Sequence, residues 1–385
     1  MLLIKNTTLY SPTYLGKKDI LTGGEKILRI ADKIDVPEKL LDEVIDAKGK
    51  ILIPGLIDGH VHIAGAGGEG GPATRTPEMK LEKMIEGGVT TVIGCLGTDG
   101  FTRSPESVLM KVKSLREQGV SAWMWIGAYQ VPTPGFFGDP GKDIALIEEI
   151  IGAGEISISD HRSSHASIDE LIKLASHVRV GAMLGGKSGI INLHMGDAKD
   201  PFRTIHEIIE KSELNYKQFL PTHCNRNPHI FEDSKAYGKK RWIDLTSSSY
   251  PYYPDIEVKP SKAIAELLSA GVPAEHITMT SDANGSLPDF DEDGNLVRLE
   301  MGEPASILRE IRDTVHQEKV DIETALKVAT SNPAAILKLP AKGKIMENYD
   351  ADLVFLDKEM QVDTVIARGQ KMMFGGELLR KDAYS

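Results

Sequence analysis

Cysteine is scarce in this chain, with only Cys95 and Cys224 among 385 residues. Two thiols so far apart form neither a disulfide framework nor a paired metal-binding motif. Long apolar runs are also missing. No stretch approaches the roughly 18 to 20 consecutive apolar residues of a membrane-spanning helix. The opening Met1-Leu2-Leu3-Ile4-Lys5-Asn6-Thr7 lacks the pattern of a secretory leader. A cytoplasmic protein without a membrane partner is the expectation. Excess positive charge is absent too: 45 Lys and Arg stand against 56 Asp and Glu, a formal net charge of −11. That balance argues against broad nucleic-acid binding, but not against a small anionic substrate held by local arginines. What remains is the composition of a globular protein, 41% hydrophobic and 26% charged. The length suits a barrel plus a smaller module.

Residues 1–50 read as short strands at 2–4, 19–21, 26–30 and 43–46, divided by polar and glycine-containing turns. Strand character returns at 343–345, 351–356, 362–367 and 370–374. The middle alternates strands at 55–62, 89–95, 122–127, 155–159, 190–194, 219–223, 242–245 and 277–281 with helices at 77–86, 105–118, 144–150, 168–177, 204–212, 230–239 and 260–269. Eight strands with intervening helices predict an α/β fold: a (β/α)8 TIM-like barrel over 55–342, with a small β-sandwich domain built from 1–54 and 343–385. A doubly wound open sheet is the competing architecture. The glycine-rich stretches at 65–71 and 185–189 lack the spacing of a dinucleotide or phosphate loop; the first is expected to let backbone approach a ligand closely or simply to turn, the second to be a tight loop feeding the next strand. Residues 132–141 read either as a rim or lid of the site or as an ordinary surface connection.

His60-Val61-His62 closes the apolar run 51–59. Alternation along a strand puts both imidazoles on one face, where two nitrogens can grip one cation. His194, His223 and Asp282 follow or close other short apolar segments, and strand ends of a barrel converge. His194 and His223 suit a second metal position. Asp282 is the best general base, a helix cap being its alternative. Zinc fits such mixed imidazole and carboxylate donors, and two ions need an anionic bridge. Glu155, first in Glu155-Ile156-Ser157-Ile158-Ser159-Asp160, can supply it if it points inward. Asp160 competes, but its opposite parity suits a supporting role. Cys224, beside His223, is expected to pack behind the site.

Arg162 and Arg226 each follow a candidate metal strand, and guanidinium forks match carboxylates. Either pairs with a substrate or with a structural acid. Glu69 could hold a substrate ammonium or lie solvated in its loop. Tyr129 could donate to a developing oxyanion or simply pack.

The motifs Gly67-Gly68-Glu69-Gly70-Gly71-Pro72, Leu96-Gly97-Thr98-Asp99, Gly127-Ala128-Tyr129, Ser159-Asp160-His161-Arg162-Ser163, His194-Met195-Gly196-Asp197, Pro221-Thr222-His223-Cys224-Asn225-Arg226-Asn227 and Ser281-Asp282-Ala283-Asn284-Gly285-Ser286, with the paired histidines, span the chain. Together they resemble the isoaspartyl (beta-aspartyl) dipeptidases of the amidohydrolase superfamily. The resemblance implies two zinc ions bridged by residue 155 and hydroxide. His60 and His62 would bind one ion, His194 and His223 the other, and Asp282 would ligate the first and move the proton. Glu69 would recognise the free amino group, Arg162 and Arg226 the carboxylates, and Tyr129 the oxyanion. Gly67, Thr98 and Ser286 would orient a small β-aspartyl dipeptide. It also implies a homo-oligomer. The chain departs from the family pattern in one respect: where a carbamylated lysine bridges the metals, it has Glu155. Cyclic amidases such as dihydroorotase or hydantoinase are the nearest alternative, and a non-enzymatic metal or small-ligand binder the more distant one.

Overall fold

Strands Leu56–Val61, Val89–Gly94, Ser121–Ile126, Ile150–Ile158, Ile191–Met195 and Phe219–Thr222 pair in chain order as one parallel sheet. Ile243–Thr246 and Ile277–Thr280 pair in parallel beside them. The sheet curls until its ends meet. Cys224 N donates to Asp244 O at 3.1 Å, and His62 N to Ala283 O at 2.9 Å. All eight strands of the sequence reading are present, and the closed barrel displaces the open-sheet alternative. The computed structural model describes residues 1–291, 293 and 295–383.

Nearly every residue of these strands is buried, as expected of a parallel sheet covered by helices. One apolar cluster binds the outer faces to residues such as Val108, Val112, Leu174, Ile230 and Ile264 of the surrounding helices. Another, with Ile57, Ile93, Trp125, Ile151 and Leu220, joins successive strands to Ile336 and Leu337. The helices start where the sequence supplies caps. Ser167 and Glu170 form a capping box at Ile168–Gly185, and Asn227 accepts from Ile230 N ahead of Pro228–Lys240.

Both chain ends build a nine-stranded mixed sheet. Leu353–Leu356 pairs antiparallel with Ile51–Pro54, in the register Phe355 to Leu52, and so joins the C-terminal strands to the N-terminal ones. A separate core including Ile4, Ile20, Ile27, Leu52 and Phe355 fills it. Among the described residues, no helix is long and apolar enough to cross a membrane.

Several local expectations change. The helix expected at 144–150 is Pro140–Leu146, because Pro140 follows the capping Asp139, while Ile150 and Ile151 open the next strand. The strand expected at 155–159 therefore begins five residues earlier. Residues 343–345 are a loop, tied by hydrogen bonds between Ile345 and Ser11 Oγ. A hairpin of Ser286–Phe290 and Leu296–Met301 after the last barrel strand had no counterpart in the sequence reading.

Candidate metal centre and active site

Glu155 lies at the centre of the barrel mouth. Its Oε1 is 2.6 Å from His194 Nδ1 and 3.0 Å from His223 Nε2. Its Oε2 is 3.3 Å from His60 Nε2 and 3.8 Å from His62 Nε2. Asp282 Oδ1 approaches the same pair, 3.1 Å from His62 Nε2 and 3.6 Å from His60 Nε2. One carboxylate thus joins two groups of donors, each able to hold a cation: Glu155, His194 and His223 on one side, and His60, His62, Cys95 and Glu155 on the other. Cys95, to which the sequence reading assigned no role, is part of that second group.

The backbone and its neighbours aim these side chains. His223 (φ 62°) and Asp282 (φ 56°) adopt left-handed conformations that turn them off their strand directions. Glycines make room: a Cβ at Gly97 would sit 2.7 Å from His62 Cε1, and one at Gly285 would sit 2.5 Å from Asp282 Oδ1. The far ring nitrogens are held by Asn192 Oδ1 at His60 (2.9 Å), Thr246 Oγ1 at His223 (2.6 Å) and Asp160 Oδ2 at His194 (2.9 Å). These partners fix ring orientation and tautomer. Beneath them, Asp58 accepts from Ser281 N at 3.0 Å and from the Ser281 hydroxyl, anchoring the Asp282 turn.

The fit of a metal pair rests on atoms left without partners. His60 Nε2 and Asp282 Oδ1 are buried, face the common centre and have no hydrogen bond among the described residues, which is costly unless a ligand satisfies them. Charge follows the same layout. Burial opposes ionisation of Glu155, yet His60 and His194 hold its carboxyl well below the usual range. Burial also opposes charge on His60, but facing groups led by Cys95 and Glu155 raise its pKa well above the ordinary value. Protons and cations compete for these nitrogens. Burial pushes His223 down to about 4, which favours the neutral imidazole, the form able to ligate a cation.

The donors open into a cavity of about 420 Å³. Glu69, Thr98, Tyr129, Glu155, Arg162, His194, His223, Arg226, Asp282 and Ser286 line it, as does His62. His60 lies beneath, fully buried. Gly67 is not among the lining residues: at φ 80° it pairs with Arg75, and a Cβ there would meet Thr74 O at 2.4 Å. Glu69 is no solvated loop residue. Its side chain is 6% exposed, its Oε1 accepts from Ser286 Oγ at 2.7 Å, and its Oε2 has no partner. Arg162 forks onto Asp160 at 3.0 and 2.8 Å, leaving NH1 3.9 Å from Glu69. Burial opposes charge on Asp160, but His194 and Arg162 hold its carboxyl well below the usual range. Arg226 reaches Met195 O at 3.2 Å and lies 3.3 Å from Asp197. Tyr129 OH is 2.8 Å from His194 Nδ1, and burial followed by the Glu155 charge keeps it a phenol.

Asn192 and Thr246 were missed in the sequence, although Asn192 stands two residues before His194 and so shares its strand face. Tyr253, Glu257 and the hairpin residues 287–291, which complete the cavity wall, carried no motif. Cys224 is buried with its thiol on Pro221 O, behind the site as expected.

A model of the amidohydrolase family matches residues 239–372. The beta-aspartyl dipeptidase of Fervidobacterium islandicum AW-1, solved in complex with the beta-Asp-Leu dipeptide, is 40% identical, with 99% of each chain covered and a TM-score of 0.92. D-hydantoinase from Thermus sp. is 18% identical, with 99% of this chain and 97% of its own covered and a TM-score of 0.72, a likeness of fold. Dihydroorotase of Streptococcus thermophilus is 23% identical, over 93% of this chain and 91% of its own length.

Proposed function

The chain belongs to the beta-aspartyl dipeptidase family of the amidohydrolase superfamily, and on that premise we propose that it hydrolyses small β-aspartyl dipeptides at a binuclear metal site. The observation carrying the substrate is the charge order across one cavity. A buried carboxylate with a free oxygen, Glu69, and two guanidinium groups, Arg162 and Arg226, line the space above the Glu155-centred donors. A β-aspartyl dipeptide has a matching ammonium and two carboxylates around its scissile amide. A cyclic amide offers Glu69 no ammonium.

In this reading, His60, His62 and Asp282 would hold one cation and His194 and His223 the other, with Glu155 shared by the two groups of donors. A pair of divalent cations, taken as zinc from the mixed donors, supplies polarisation of the scissile carbonyl and a more acidic attacking water. Asp282 takes the proton of the attacking water and passes it to the departing amine. The Tyr129 phenol donates to the carbonyl oxygen as negative charge develops there. Glu69 takes the substrate ammonium, and Arg162 and Arg226 take its carboxylates. Thr98 and Ser286 line the same space and orient the ends of the dipeptide, while Gly67 acts through the loop it shapes. Residues 55–342 form the catalytic unit, and 1–54 with 343–385 the supporting one. Assembly with like copies comes with the family resemblance alone.

Turnover of β-Asp-Leu, α-Asp-Leu and cyclic amides by the same metal-assayed preparation tests the assignment. Metal-dependent release of leucine from β-Asp-Leu alone is expected. Equal cleavage of the α-linked peptide, or turnover confined to cyclic amides, would overturn it.

A further inference from the structure

Cys95 follows the strand Val89–Gly94, and its N donates to Val61 O at 3.0 Å, which fixes it against the His60-Val61-His62 strand end. The side chain is fully buried. Sγ lies within 4.8 Å of a donor atom of each of His60, His62 and Glu155. Its thiol donates to Val61 O at 3.6 Å, and His62 Nδ1 lies 3.8 Å from Sγ. A second observation points to a ligand at the same place: His60 Nε2, also fully buried, has no hydrogen-bond partner among the described residues. Cys224 provides the internal contrast. It is equally buried and adjoins His223, and its thiol likewise donates to a backbone carbonyl, Pro221 O at 3.4 Å, yet among the described residues it belongs to no donor group.

We infer that Cys95 is a thiolate ligand of the cation held by His60 and His62, a donor beyond the histidine and carboxylate set. The inference rests on the binuclear reading above. As the sulfur–cation bond forms, the S–H bond breaks and its proton leaves to solvent, so no oxidant or further reactant is needed. The two positions then differ in chemistry. His194 and His223 with Glu155 offer only nitrogen and oxygen, whereas the first position adds a soft sulfur. Borderline-soft divalent ions such as zinc, cobalt or cadmium are favoured there over magnesium or manganese.

Zinc-edge X-ray absorption on the two-zinc protein tests this without relying on turnover. Zinc–sulfur bonds lie near 2.3 Å, against about 2.0 to 2.1 Å for imidazole nitrogen. The wild-type spectrum is expected to contain a sulfur shell equivalent to one sulfur per two zincs. The shell is retained in Cys224→Ser and lost in Cys95→Ser, with zinc affinity at one position falling roughly tenfold or more. A nitrogen and oxygen shell alone, in wild-type protein that holds two zincs and cleaves β-Asp-Leu, overturns the Cys95 assignment and leaves the proposed function standing. A sulfur shell that survives Cys95→Ser overturns it as well. Protein that neither takes up two metals nor cleaves the dipeptide removes the binuclear reading itself, and this inference with it.

Discussion

At the junction of barrel and terminal sheet, Lys342 is buried with its Nζ 2.5 Å from Asp352, 2.7 Å from Asp350 and 2.5 Å from Ser121 Oγ. Its three donors are all taken, and the acids are in turn held by Arg368 N and Lys26. At the barrel mouth, an equally buried set of charges leaves His60 Nε2, Asp282 Oδ1 and Glu69 Oε2 without a hydrogen-bond partner among the described residues. Buried charge is common to both regions, so burial does not distinguish a functional site from a structural one. Completion does. The junction closes its hydrogen bonds within the chain and works as a clasp. The mouth leaves atoms aimed at shared space, a cost a fold sustains where a ligand completes them.

Glu155→Ala should break this contrast most severely. It removes the one carboxylate common to both donor groups, and losing the paired site forfeits several kcal/mol of charge stabilisation. Activity should fall on the order of 10³-fold or more, with fewer than two metals bound per chain by elemental assay. Unchanged two-metal content would reject the bridge. Lys342→Met should act in the opposite sense. Breaking a buried ion cluster costs about 3–5 kcal/mol of stability, read as a lower denaturant midpoint, while kcat per folded molecule stays the same. A loss of kcat at full folding would show that the clasp reaches the site.

Arg226→Lys keeps the charge but removes the fork. KM for β-Asp-Leu should rise about 10- to 100-fold, the scale of a lost charge-assisted hydrogen bond, with metal content intact. Glu257→Gln should give the smallest change. Burial pushes Glu257 up to about 7, so it carries a proton on the acid side and gains negative charge as pH rises through neutrality. That charge faces a cavity taking an anionic substrate, so KM should rise about two- to fourfold between pH 6 and 8. The rise should vanish in the variant. Because the pKa is raised, the group's contribution to stability is complete below its unfolded value and is lost as pH climbs through about 7.

The barrel was legible because its strands are short, apolar and regularly spaced, from Leu56–Val61 round to Ile277–Thr280. The metal donors were legible because histidines and an aspartate close those strands. Glu155 could be placed by strand parity, although its strand begins at Ile150, inside a stretch that reads equally well as helix end. The hairpin 286–301 was not legible: Ser286–Phe290 is only partly buried and lacks a clean alternation, so its role depends on tertiary contact. Asn192 and Thr246 are ordinary polar residues until the fold places them against imidazoles. Cys95 gave no signal because a lone cysteine acquires chemistry only from neighbours distant in sequence.

Zinc titration of metal-free protein, with β-Asp-Leu turnover measured at each addition, tests the mouth's unsatisfied donors most directly. Full turnover is expected only as the second equivalent is bound. Full turnover at one equivalent, or in chelator-stripped protein, would contradict a paired site bridged by Glu155.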